Sequence, residues 1–338
     1  MKILVAPLNW GLGHASRCVP LVQRLLDEGH EVVLGGDGES LTLLRKHFPK
    51  LRYTYLAPLN LRYSKGTSQV WAIGKALPQL FFWSLKDHAL LKAILREEHF
   101  DQVISDNRFG LYIKKPSAVS HQHSVTECIY MTHQLHIMLP QGWRWAEGIA
   151  SRLHARVYAR YNKVWVPDYK EKEKSLAGEL SHAEAFSHQH SAISYIGPLS
   201  RFQKQSPITN HQSPIFDVVA VLSGLEPQRT MLEKEIVGRY SGKEEKVLIV
   251  QGQMHRPNTR IKRSNITLVP SLSDAELVPA LLGAKHIIAR SGYSTIMDLH
   301  ALGLLTANSQ QPTAKIELIP TPGQPEQVYL ATIFNKMH

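Results

Sequence analysis

The chain has 338 residues, more than one hydrophobic core usually holds, so two domains of roughly 150 residues each are expected and a single small module is excluded. With 43% hydrophobic and 20% charged residues, its composition is far from the disordered, collagenous and coiled-coil classes. Lys and Arg number 39 against 28 Asp and Glu, and the resulting +11 implies an anionic partner such as a nucleotide, a lipid headgroup or a nucleic acid without choosing among them.

In chain order, Lys2 to Leu8 reads as a strand, and the polar, Gly-rich turn that ends it at once is unlike a signal peptide. Helical spacing of Val19, Leu21, Val22, Leu25 and Leu26 predicts a helix from about His14 to Asp27, stopped by Gly29. Strands follow at Glu31 to Leu34, Tyr53 to Leu56, Gln102 to Ser105, Cys128 to Thr132 and Val164 to Pro167, with helices near Val70 to Arg96 and Trp143 to Tyr161. Strands alternating with helices predict a parallel sheet covered on both faces. Cys18 and Cys128 are too few for a disulfide framework and lack the close pairing of a zinc site, so a reducing, cytoplasmic setting is expected. The best candidate for a membrane span, Leu77 to Leu85, is too short and is flanked by Lys75 and Lys86.

The segment from Ser200 to Pro214 carries Gln, Ser, Asn and Pro with little apolar periodicity and reads as a linker. A second α/β series follows, with strands at Asp217 to Leu222, Lys246 to Gln251, Ile266 to Val269, His286 to Ala289 and Ile316 to Pro320. Its helices are expected to begin near Pro227, Ser273, Tyr293 and Gln324. The organisation expected is residues 1–200 as one Rossmann-like domain, 201–214 as the linker and 215–338 as a second such domain, the two facing across a cleft. The tract Ser187-His-Gln-His-Ser191 repeats Ser120-His-Gln-His-Ser124, too short an echo to be a structural repeat.

Chemistry is concentrated in the turns. Asn9-Trp10-Gly11-Leu12-Gly13-His14-Ala15-Ser16 joins the first strand to the first helix, where glycines admit a ligand and free amides suit an anion. The loop departs from the dinucleotide fingerprint because Ser16 stands at the third glycine position, although Asp37 after the second strand could imitate the ribose-binding acid. His14 at the helix start is either a capping polar residue or a group able to take a proton near neutral pH. In the second half, Ser223 and Gly224 at a strand end and Arg229 in the following helix form either another anion cradle or a plain connection with a surface arginine.

More specific is Ala289-Arg290-Ser291-Gly292-Tyr293-Ser294-Thr295-Ile296-Met297-Asp298-Leu299, followed by Ile319-Pro320-Thr321-Pro322-Gly323-Gln324-Pro325-Glu326-Gln327. A strand, Arg-Ser-Gly, a helix with an acid eight residues after the arginine and a Pro-Gly-Gln-x-Glu-Gln turn together resemble the donor half of glycosyltransferase family 28, the MurG-like enzymes. Gly11-Leu12-Gly13-His14 resembles that family's Gly-rich loop. Ser105-Asp106-Asn107-Arg108-Phe109-Gly110 and Thr132-His133-Gln134 resemble motifs of a branch of it. The resemblance implies a GT-B fold and transfer of a hexose or N-acetylhexosamine from a UDP-sugar to a cell-envelope or lipid-linked acceptor, with inversion. UDP-sugar would be a co-substrate with no further cofactor, and the absence of an Asp-x-Asp triplet fits independence from metal.

By the same resemblance Asp298 would accept the ribose hydroxyls, Ser291, Gly292 and the amides after them would face the diphosphate, and Glu326 and Gln327 would reach the sugar, assisted by Gln324. Arg290 could serve the donor or act as a structural ion-pair partner. Gly11, Gly13, His14 and His133 would belong to the acceptor side. This chain departs from the family in having Asp298 for a glutamate, a longer polar connection from Leu304 to Lys315, and only Val328 to His338 after the last motif. Trp71, Leu77, Leu80, Phe81, Phe82, Trp83 and Leu85, with Lys65, Lys75, Lys86 and Lys92 around them, form either a core helix or a peripheral attachment to the inner face of a membrane. A nucleotide-sugar epimerase of the same fold and a non-catalytic nucleotide- or carbohydrate-binding relative are the alternatives. A nucleic-acid partner is not expected, since no binding module or clustered basic stripe is present.

Overall fold

The computed structural model describes residues 1–59, 69–113, 126–182, 193–202, 216–224, 226–257, 259–305 and 314–335, with side chains from 78 onward in the helix that begins at Gln69. Most of the expected linker and both His-Gln-His tracts lie outside these residues. The chain divides into two compact units, one holding Met1–Asn9, His14–Leu61 and Val70–Leu199, the other holding Trp10–Gly13 and Ser200–His338.

The first unit is built on a seven-stranded, wholly parallel sheet of order β3-β2-β1-β4-β5-β6-β7. The strands are β1 (Lys2–Pro7), β2 (Glu31–Gly36), β3 (Tyr53–Tyr55), β4 (Gln102–Asp106), β5 (Glu127–Met131), β6 (Lys163–Val166) and β7 (Ile193–Tyr195). The described helices are α1 (Gly13–Asp27), α2 (Gly38–His47), α3 (Gln69–Glu97) and α4 (Glu147–Tyr158). Near-continuous apolar runs such as Ile3 to Ala6 and Val32 to Leu34 form central strands because both faces of a parallel sheet are covered. Helix α1 turns Ala15, Cys18, Val19, Leu21, Val22 and Leu25 inward. Cys18 and Cys128 are both buried free thiols, and burial pushes the Cys128 thiol up to about 11, so neither is a nucleophile at neutral pH.

One buried ion group ties this unit together. Arg108 donates to Asp87 on α3 at 2.9 and 2.8 Å, to Asp37 ahead of α2 at 3.0 Å and to the carbonyl of Ala57 at 2.6 Å. Gly110 lies so close to Ser84 and Asp87 of α3 that a Cβ there would collide with backbone. Asp37, which the sequence suggested as a ribose-binding acid, is thus a buried partner of Arg108 and of Asn9.

The second unit has a six-stranded sheet of order β10-β11-β9-β8-β12-β13, parallel except for the β10-β11 hairpin. Its strands are β8 (Val218–Val221), β9 (Val247–Val250), β10 (Ile261–Arg263), β11 (Ile266–Val269), β12 (His286–Arg290) and β13 (Lys315–Ile319). Its described helices are α5 (Gln228–Tyr240), α6 (Asp274–Gly283), α7 (Tyr293–Ala301) and α8 (Pro325–Phe334). Ser273 and Glu276 close a capping box at the start of α6, and Pro325 opens α8 where its missing N–H costs nothing. Val218, Ala220, Leu232, Ile236, Val247, Ile249 and Ile288 form its core.

Among the described strands and α-helices, α2, β7 and β10 went unread in the sequence. Gly35-Gly36-Asp37-Gly38 looks like a loop, yet α2 starts within it and buries Leu41, Leu43 and Leu44. β7 and β10 have three residues each, too short for a period-two signal. The helix expected from Trp143 begins as a tighter turn at Gln141–Ala146 and becomes α-helical at Glu147.

Candidate functional site

In an open parallel sheet, ligands meet the carboxyl ends of strands where the strand order reverses direction. In the first unit that point lies between β1 and β4, paired as far as Pro7 with Asp106. Asp106 ends β4, and the next residue, Asn107, is left-handed at φ 57°, its Oδ1 accepting from Tyr130 Oη at 3.0 Å. His14 is in the first turn of α1 with Arg17 one turn further on the same face.

These residues converge. Arg17 Nε donates to Asp106 Oδ2 at 2.8 Å and Arg17 Nη2 donates to Asp106 Oδ1. His14 Nδ1 lies 3.1 Å from Asp106 Oδ1 and 3.0 Å from Arg17 Nη2. His14 Nδ1 thus stands between a carboxylate that only accepts and a guanidinium that only donates: the Asp106 contact puts the proton on Nδ1 and the lone pair on Nε2, and the Arg17 contact puts them the other way. Arg17 Nη1 lies 3.0 Å from His133 Nδ1, which accepts from it because a guanidinium has no lone pair to offer. Burial by itself would raise the Asp106 pKa, but the Arg17 charge and His14 outweigh it and hold the carboxyl well below the usual range. The result is a carboxylate that is ionised at neutral pH, in contact with a partly exposed imidazole. Asp106 and Arg17 are the residues that sequence reasoning left out. Arg17 is signalled by its three-residue spacing from His14, whereas Asp106 sits in a motif that had no assigned role.

In the second unit the order reverses between β8 and β12, and the turns that leave these strands are Ser223-Gly224 and Ser291-Gly292. Gly224 has φ 96°, a left-handed conformation that suits glycine. Gly292 caps α7, so the free amides of that helix open beside the turn. Ser291 is buried and its Oγ donates to the Gln327 carbonyl at 2.8 Å. Gln327 Oε1 accepts from the Thr321 amide at 2.8 Å and its Nε2 donates to Gln324 Oε1 at 2.5 Å, so Gln324 and Gln327 lock the turn that carries Glu326 into α8. Among Trp10–Gly13, Gly11 is left-handed at φ 74°, and the Gly13 carbonyl accepts from Ser294 Oγ at 2.8 Å.

Other expected site residues are engaged within the fold. Arg290 is buried and donates to the carbonyls of Pro320 and Gln228 at 3.0 and 2.8 Å, bracing the ends of β12 and β13. Arg229 donates to the Gly252 carbonyl at 2.9 Å and pairs with Glu226 at 2.6 Å. Asp298 Oδ1 accepts from Ser200 Oγ at 2.6 Å, and Arg201 Nε stands 3.9 Å from its Oδ2 while Arg201 Nη1 pairs with Asp274 at 3.1 Å. Ser200 and Arg201 were read only as linker, yet they hold the acid. In the aromatic stretch, Trp83 is buried and donates to the Ala57 carbonyl at 2.8 Å, while Phe81, Phe82 and Leu85 are exposed. Lys65 and the side chains of Trp71, Lys75 and Leu77 lie outside the described part. Among the described residues no helix is long and apolar enough to cross a membrane.

With this geometry in place, comparison with known proteins is informative. No family model matches the chain. A spinosyn rhamnosyltransferase solved in complex with thymidine diphosphate superposes with a TM-score of 0.56 at 12% identity, covering 98% of this chain and 84% of that one. A calicheamicin glycosyltransferase gives 0.55 at 12% identity, covering 98% and 89%. The fold is of the GT-B type. In sequence, an uncharacterized glycosyltransferase of Methanosarcina acetivorans is 24% identical over 319 residues, 90% of this chain and 78% of that protein. A protein of the same description from Methanosarcina mazei is 21% identical over the same shares.

Proposed function

We propose that the chain is a glycosyltransferase that moves a sugar from a nucleoside diphosphate donor to an acceptor hydroxyl. The observation that carries the reading is the His14–Asp106 pair at the switch point of the first sheet. His14 Nε2 takes the proton of the acceptor hydroxyl as its oxygen attacks the anomeric carbon. Asp106 holds the imidazole in the required tautomer and stabilises the imidazolium that forms, with Arg17 fixing the carboxylate. The bond from the anomeric carbon to the diphosphate oxygen breaks, and the electron pair leaves with the nucleoside diphosphate. Attack opposite the leaving group inverts the anomeric centre.

The second unit is assigned the donor. Amides opening α7 after Ser291 and Gly292 meet the charge that grows on the leaving diphosphate. Asp298 accepts from the ribose and Glu326 from the sugar, in keeping with the resemblance to glycosyltransferase family 28. Uridine diphosphate is the nucleotide that this resemblance favours, a hexose or N-acetylhexosamine is the sugar, and a glycan or lipid-linked molecule is the acceptor of a cytoplasmic enzyme. The relatives' descriptions and the solved neighbours support the reaction class. Calorimetry with uridine and thymidine diphosphates, followed by nucleotide release from donor sugars on addition of acceptors, tests it. Release that requires an acceptor and vanishes in His14→Ala is expected. Interconversion of donor sugars without acceptor would show an isomerase instead.

A further inference from the structure

Gln253 is 6% exposed, and its side-chain Oε1 is buried without a hydrogen-bond donor among the described residues. Its backbone is fixed on both sides. The N–H donates at 2.8 Å to the carbonyl of Pro270, just past the end of β11, and the carbonyl accepts from the Arg256 amide at 3.3 Å. Gly252 before it is left-handed at φ 68°, where a Cβ would collide with the carbonyl of Leu222, just past the end of β8. Gln251, by contrast, pairs its amide with Glu233 at 3.0 Å. An unpaired buried amide oxygen destabilises a fold, and native chains keep few of them. Methionine would fill the same place without that penalty, so the amide points to a partner outside the chain.

The place of the residue identifies the partner. β12, β8 and β9 are successive strands, so the opening of α7 after Gly292 and the turn holding Gln253 lie about 10 Å apart along the carboxyl edge of the sheet. The segment that follows Pro270 leads into α6 at Asp274, which Arg201 pairs at 3.1 Å while standing 3.9 Å from Asp298. A nucleotide with its diphosphate at α7 and its ribose on Asp298 therefore has its nucleobase on the side of the edge where β9 and β11 end.

We propose that Gln253 reads the nucleobase of the donor, its Oε1 accepting the N3–H of a uracil or thymine ring. The assignment rests on the donor reading of the second unit given above, and Gln253 lies outside every motif that carries the family resemblance. The terminal amide torsion of glutamine is soft, so the oxygen turns to the ring while the backbone stays pinned. Uracil and thymine both present a donor at N3, whereas cytosine presents an acceptor there and would set two lone pairs against each other.

The experiment is calorimetry of the full chain with uridine, thymidine, cytidine and N3-methyluridine diphosphates, on wild type and Gln253→Met, with thermal unfolding of both proteins without nucleotide. Methionine keeps the length and removes the unpaired oxygen, so the variant should melt at or above the wild-type temperature. Its affinity for uridine and thymidine diphosphates should nevertheless fall by about tenfold or more, because the N3–H loses its acceptor. In wild type, cytidine diphosphate and the N3-methylated nucleotide should bind about tenfold more weakly than uridine diphosphate, a comparison that needs no variant. Gln253→Met should bind the methylated and unmethylated nucleotides alike, since the two changes remove one interaction. Equal affinity of both proteins for uridine diphosphate, an N3-methyl penalty of the same size in both, or equal wild-type affinities for uridine and cytidine diphosphates would overturn the assignment and leave the donor reading standing. So would a variant whose melting temperature falls along with its affinity. If wild type bound none of the four nucleotides, the donor reading would fall and the assignment with it.

Discussion

His14 and Asp106 stand 92 positions apart in the chain, yet the imidazole Nδ1 of one lies 3.1 Å from the carboxylate Oδ1 of the other. A general base contributes about 100- to 10,000-fold to a chemical step. His14→Ala should therefore cut turnover by that range while leaving the dissociation constant of the nucleotide unchanged. If His14→Ala abolished nucleotide binding, the histidine would belong to the donor site; a change in melting temperature alone would make it a helix cap. Asp106→Asn should lower turnover too and also destabilise the fold by about 3–5 kcal/mol, because Arg17 is left buried beside a neutral amide. Paired kinetic and urea-unfolding measurements separate the two effects.

Asp298 presents the same kind of contrast in the second unit. Asp298→Ala removes the proposed ribose acceptor and should weaken uridine diphosphate binding by about 1.5–3 kcal/mol. Ser200→Ala frees Asp298 Oδ1 from its 2.6 Å hydrogen bond and should leave that affinity intact. Equal losses in the two variants, measured by calorimetry, would show that Asp298 acts by holding Ser200 rather than by holding nucleotide.

Arg108 is fully buried between two carboxylates, Asp87 and Asp37. Arg108→Met leaves both anions without their cation and should cost about 3–5 kcal/mol of stability in chemical denaturation. Asn9 and Ala57 also lose a bonded or bridged neighbour, so the loss should be larger than for substitution of an exposed arginine such as Arg52. Near-equal costs at the two positions would contradict the assignment of Arg108 as the brace of this unit.

Two groups shape the acid limb of stability in separate windows. Burial, aided by the neighbouring His133, pushes the His154 pKa down from 6.5 to about 4. The unfolded chain takes up this proton first, so stability should fall by roughly 3 kcal/mol as pH drops from about 6.5 to 4 and then level off for this group. Asp106, whose pKa is depressed in the folded state, contributes stability that is present above the ordinary carboxylate value of 3.8 and is lost as pH falls below it. Urea unfolding across pH should show His154→Leu flattening the first window and leaving the second.

The alternation of apolar strands with amphipathic helices was legible because both signals are local. Ile3 to Ala6 and Val247 to Val250 read as buried strands from their own residues, and Gly29 and Pro325 mark helix boundaries by their own backbone chemistry. The turns at Gly11 to His14, Ser223-Gly224 and Ser291-Gly292 were legible too, since glycine, serine and a helix start are adjacent in the chain. Partnership was not. Asp106 could not be recognised as the residue that orients His14 until parallel pairing of β1 with β4 brought Pro7 and Asp106 into register. Asp37 resembled a ribose acid by position, and only the approach of Arg108, 71 residues away, made it a buried counter-ion. Likewise the 141–160 segment reads in sequence as another amphipathic helix. Tertiary packing decided which face it buries, because Ser151, Ala155 and Tyr158 fit the core and leave Trp143, Trp145, Ile149 and Leu153 outside. Strand and helix are set by neighbours along the chain, whereas charge partners and exposed faces are set by which distant elements the sheet lays side by side.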